Sequence, residues 1–108
     1  MPKLVTDEGL ERNVLMGHGY SLVLFFDYCS VPCDLFRKEW NVLPDMISGI
    51  DFYEIEVAEN PGISKEIGIM AIPTTILFRD GVLISSYEGP YSKEALIERI
   101  QKDLSKAS

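Results

Sequence analysis

The apolar positions of this chain switch between two periods, and the switches mark its elements. Residues 21–26 carry Leu22-Val23-Leu24-Phe25-Phe26 without polar alternation, the pattern of a strand covered on both faces. Residues 51–57, Asp-Phe-Tyr-Glu-Ile-Glu-Val, alternate in part and are rich in β-formers. Residues 74–79 and 82–87 flank Asp80-Gly81, a dipeptide suited to a tight hairpin turn. Leu4-Val5 is long enough only for an edge strand.

Between these runs the period becomes helical. After Thr6-Asp7, the residues Leu10, Val14 and Leu15 fall on one helix face, and Gly17-His18-Gly19 ends it. A second helix is predicted from about Ser30. Its apolar stripe is Leu35, Phe36, Trp40, Leu43 and Ile47, and Pro44 kinks or ends it. Asn60 caps a short third helix, with Pro61 at its first position, Ile63 and Ile67 on one side and Gly68 as its stop. Past Gly89-Pro90, Ser92 caps a last helix buried through Leu96, Ile97, Ile100 and Leu104, and residues 105–108 are expected to fray. The order βαβαβαββα predicts an α/β fold. Its centre is a mixed β-sheet, parallel in one half and closed by an antiparallel hairpin, with helices on both faces.

Composition narrows the function classes. With 108 residues the chain suffices for one domain, 1–108, and is too short for two. The net charge of −7, with no cluster of Lys or Arg, argues against nucleic acid and anionic membranes, which need a basic face. No run approaches the ~20 apolar residues of a membrane span. The N-terminal stretch turns acidic at Asp7-Glu8 before a signal-peptide core can form. A cytoplasmic location is expected.

Candidate chemistry gathers where the first long strand runs into the second helix, at Cys29-Ser30-Val31-Pro32-Cys33. These are the only two cysteines. A helix N-terminus carries unpaired N–H groups and partial positive charge, which favour a thiolate, the reactive form. A closed zinc site takes four ligands, and two thiols with a lone His18 do not supply them. His18, between two glycines, reads as a solvated turn residue. Ser30 reads as the helix cap, its hydroxyl accepting from the N–H of Cys33; no base is in view to make it a nucleophile. Residues four apart at a helix start lie ~6 Å between Cα atoms, inside the ~4.4–6.8 Å span of a disulfide. A bridge between Cys29 and Cys33 is therefore allowed.

Four local features together resemble the thioredoxin family over almost the whole chain. They are the turn ending Pro32-Cys33; Glu59-Asn60-Pro61-Gly62; Gly68-Ile69-Met70-Ala71-Ile72-Pro73-Thr74; and Gly89 before the last helix. The resemblance implies a cis peptide bond at Pro73, in a loop beside the thiols that pairs with extended substrate backbone. It also implies substrate contacts at Tyr28, Ser30, Pro32, Ile72, Pro73 and Gly89. The departures are specific. Against Trp-Cys-Gly-Pro-Cys, Cys33 takes the place of the resolving cysteine, Ser30 that of the attacking one and Cys29 that of the tryptophan. Leu24 stands where the family has a buried Asp, Glu54 where it has a Lys, and Ala58 replaces another acid.

Two functions from different classes follow. The first is a thiol–disulfide oxidoreductase in which Cys29 attacks, Cys33 resolves, and Glu54 serves as a semi-buried proton shuttle. An outward-facing, solvated Glu54 is the alternative of equal weight. Phe26, Tyr28, Ile72 and Tyr91 are candidates for an apolar rim. No bound cofactor and no metal are needed. The expected partners are protein disulfides and an electron-donating reductase or small thiol, with the chain a monomer. The second function is a redox-inert binding module that holds a partner segment through the Pro73 loop.

Overall fold

The structure, a computed structural model, describes residues 1–107. Strands β1 (Lys3–Leu4), β2 (Tyr20–Phe26), β3 (Ile50–Glu56), β4 (Thr74–Arg79) and β5 (Val82–Glu88) form one sheet in the order β1-β3-β2-β4-β5. β3 runs parallel to both β1 and β2, while β4 runs antiparallel to β2 and β5. The predicted mixed sheet is thus present, with β2 at its centre.

Helix α1 (Asp7–Leu10) continues as a wider π turn over Glu11–Leu15, in which Met16 N donates to Glu11 O at 2.9 Å. Helices α2 (Val31–Trp40), α3 (Pro61–Ile67) and α4 (Lys93–Ala107) follow. The strand period of two sorts the core between the faces. Leu22, Leu24 and Phe26 point to one face with Phe36 and Trp40 of α2 and Leu96 and Ile100 of α4. Val23 and Phe25 point to the other, with Leu10, Val14 and Ile63. Each fully buried side chain of this size contributes about 1.5–3 kcal/mol, which explains why the central run has no polar break.

Three local expectations are corrected. Leu35 is 60% exposed and does not belong to the α2 core stripe. Cys33, Phe36 and Trp40 define the buried face at steps of three and four, and Leu35 lies about 200° around the helix from Cys33. Asn60 does not cap α3 with its side chain. Asp7 does so from the start of α1, its carboxylate accepting from Gly62 N and Ile63 N, both at 3.0 Å. Residues 105–107 are helical rather than frayed, because α4 is anchored nearby by Leu104 and by an Asp103 bond to Tyr87; Ser108 lies outside the described residues. Pro44 falls in a short 3₁₀ turn, Leu43–Asp45, after α2 has ended.

The hairpin takes the left-handed turn that its sequence demands. Asp80 has φ 50° and Gly81 φ 80°, and a Cβ on Gly81 would lie 2.1 Å from Leu15 O. Asp80 also pins the loop that carries the exposed His18: its Oδ1 accepts from Gly19 N at 2.7 Å.

Candidate active site

The site is built at the C-terminal end of β2. Asp27 ends the strand and folds the chain back on itself. Its Oδ1 accepts from Cys29 N at 2.8 Å, and its carbonyl accepts from Ser30 N at 3.2 Å. A short polar side chain favours such a turn because it supplies the acceptor locally. The turn leaves Cys29 exposed. Ser30 is extended (φ −105°, ψ 121°) and caps α2, its Oγ accepting from Cys33 N at 3.3 Å. The Ser30 hydroxyl is therefore the helix cap. Cys33 sits fully buried in the first turn, in the cluster that holds Phe26, Phe36 and Trp40. Both thiols are unbridged in this structure.

Register brings the Pro73 loop to the same place. Phe25 pairs with Thr74, so Pro73 follows on beside Phe26, three residues ahead of Cys29. The Ile72-Pro73 bond is cis. Gly89 N donates to Pro73 O at 2.8 Å, and Thr74 Oγ1 to Ala71 O at 2.5 Å, which ties the loop to β5 and to itself. Ile72 and Tyr91 are half-buried against the cluster that contains Cys33. Of the expected rim, Phe26 is wholly buried and belongs to the core, while Tyr28 is 53% exposed and meets the Phe26 ring edge-on at 4.9 Å. Val31 and Met70 add exposed apolar surface. An open pocket of about 230 Å³ lies along the loop, lined by Val57, Ser64, Ile69, Met70, Ala71 and Ile72.

Glu54 lies at the register position of Leu24, on the sheet face that α2 covers. It is 5% exposed, which overturns the solvated alternative. Its Oε2 accepts from Arg37 Nη2 at 2.6 Å and its Oε1 from the Trp40 indole at 2.9 Å. Both oxygens are committed to helix α2, so the carboxylate anchors a buried ion pair. The Arg37 guanidinium carbon in turn lies 4.3 Å from the centre of the Phe26 ring and 5.3 Å from that of Tyr28.

Sequence reasoning missed two polar residues here. Arg37 stands one helical turn after Cys33 and three residues before Trp40, a spacing that puts all three on one face. Glu56 is two residues beyond Glu54, hence on the same sheet face, and is also buried; its Oε1 accepts from Glu59 N at 2.8 Å. The period of each element carried both signals.

Comparison with known proteins agrees with this geometry. The family model described as thioredoxin matches residues 2–102. A thioredoxin of Rickettsia bellii is 32% identical over 106 residues, covering 96% of this chain and 100% of the relative. One from Staphylococcus haemolyticus is 32% identical over 101 residues, covering 93% and 95%. One from Chlamydia caviae is 28% identical over 102 residues, covering 94% and 98%. With its sheet order, its cis-proline loop and its strand-to-helix cysteine turn, the chain belongs to the thioredoxin family.

Proposed function

We propose that this protein is a thiol–disulfide oxidoreductase that works through Cys29 and Cys33. The observation that carries the reading is an exposed thiol on a hydrogen-bonded turn, directly ahead of a capped helix whose first turn holds the second, buried thiol. The Cys29 thiolate attacks one sulfur of a substrate disulfide. A mixed disulfide forms, the substrate S–S bond breaks, and the released thiolate takes up a proton. The Cys33 thiolate then attacks Cys29 Sγ, which closes the Cys29–Cys33 bridge and frees the second substrate thiol. Substrate gains two electrons and the protein loses two. A reductase or a low-molecular-weight thiol returns them, and a reducing compartment such as the cytoplasm suits that supply.

The surroundings support a peptide-like substrate. Tyr28, Val31 and Pro32 expose apolar surface beside Cys29 in the chain, Met70 exposes more on the loop before Pro73, and the pocket along that loop has room for one apolar side chain. Ser30 enters as the cap and Gly89 as the anchor of the loop. Glu54 enters as the buried anion that holds Arg37.

Counting free thiols before and after a mild oxidant, then after a dithiol reductant, tests the reading. Two thiols should be lost together and regained together. One observation favours a redox-inert binding module instead: Ser30, where the family's attacking cysteine stands, has its hydroxyl occupied as a cap. Thiols that persist under oxidant while a partner segment still binds the Pro73 loop would decide for that module.

A further inference from the structure

Arg37 is a firmly held group that the thiol chemistry leaves without a role. Its side chain is 24% exposed, against 6% for Glu54, so it spans from the core to the rim. The inner end is clamped: Glu54 holds one nitrogen at 2.6 Å, and the Trp40 indole fixes Glu54 from the other side. The same guanidinium lies over the rings of buried Phe26 and exposed Tyr28. Arg37 Nε is buried and has no hydrogen-bond partner among the described residues. A guanidinium tolerates that when an aromatic face takes the place of an acceptor.

Tyr28 is the residue before Cys29 and is more than half exposed. The ring contacts that hold it are the edge of Phe26 and the guanidinium of Arg37. The chain Trp40–Glu54–Arg37–Tyr28 therefore runs from the middle of the core to the turn that carries the exposed thiol.

We infer that Arg37 is a positioning residue for the nucleophile: by stacking on Tyr28 it fixes the turn that carries Cys29 ahead of the helix holding Cys33. The inference rests on the thiol-pair reading above. Arg37 touches neither substrate nor sulfur in this role. Its effect is on how readily the two thiols meet, because closing a pair within one chain depends on the geometry held before reaction. A lysine keeps the charge but loses the planar fork that stacks and pairs at once.

The test is the equilibrium between the dithiol form and glutathione disulfide, which reads the effective concentration of the pair. It is measured in the wild type, Arg37→Lys, Tyr28→Leu and the double variant, with thermal melts alongside. Asp7→Ala, which strips the cap of α3 on the other face of the sheet, serves as a variant weakened elsewhere. Arg37→Lys and Tyr28→Leu should each lower the effective concentration roughly tenfold. The double variant should lose no more than either single one, since both break the same chain. Asp7→Ala should melt earlier with the equilibrium unchanged. A wild type that forms the bridge, with Arg37→Lys and Tyr28→Leu at the wild-type value, would overturn the inference alone. A wild type that never forms the bridge would overturn the thiol pair and the inference together.

Discussion

Arg37 Nη2 lies 2.6 Å from Glu54 Oε2, and the two partners are buried unequally, with side-chain exposures of 24% and 6%. That inequality sets a direction. Removing the cation strands a carboxylate that cannot reach water, whereas removing the anion leaves a guanidinium that can turn outward. Arg37→Met should cost about 3 kcal/mol or more, as for a buried pair deprived of one partner. Glu54→Gln, which keeps an acceptor for Trp40, should cost about 1–2 kcal/mol. Urea denaturation of the two variants checks the order, and equal losses would contradict it.

The hydroxyl of Ser30 separates a cap from a nucleophile. Ser30→Ala should lower stability by about 1 kcal/mol, the usual loss for an N-cap, and should leave disulfide reduction within a few-fold of the wild type. Ser30→Asp should restore the stability, since a carboxylate also accepts from the N–H of Cys33. A loss of activity in Ser30→Ala without a change in the melt would argue for a chemical role instead.

Tyr87 and Asp103 give the stability a pH signature at both ends. The Tyr87 hydroxyl donates to Asp103 Oδ2 at 2.6 Å and clips β5 to α4. Burial first, and then the bond to Asp103, raises the Tyr87 pKa above its ordinary 10.0. The bond from Tyr87 is the main cause that holds Asp103 below its ordinary 3.8. A raised folded pKa means that the Tyr87 contribution is complete below pH 10 and is lost as pH rises beyond it. A lowered one means that the Asp103 contribution is complete above pH 4 and is lost as pH falls through the folded value. Tyr87→Phe should cost about 1–2 kcal/mol near neutrality and flatten both limbs. Urea midpoints across acid, neutral and alkaline pH read this directly.

How much was legible in the sequence depended on the range of each interaction. The run Leu22 to Phe26 announced a central strand because burial on both faces leaves no polar position. Ser30 and Pro32 marked the start of α2 because a cap and a first-turn proline act within four residues. Leu35 misled because its residue type says nothing about helix phase, and the face was set by Cys33, Phe36 and Trp40. The cap of α3 was invisible locally, since Asp7 reaches it from 55 residues away. Glu54 stood open between two readings because alternation tells which face a residue takes but not whether a helix covers it. Helix α2 does, and Arg37 on that helix supplies the charge that makes burial tolerable.

The central claim is that Cys29 attacks and Cys33 resolves. The most direct measurement is mass spectrometry of Cys33→Ser after incubation with a disulfide-linked peptide. A stable adduct of one peptide thiol on Cys29 is the predicted result, because the thiol that would release it is gone. Cys29→Ser treated in the same way should give no adduct and no reduction. Absence of an adduct on Cys29, or full reductase activity in Cys29→Ser, would contradict the account.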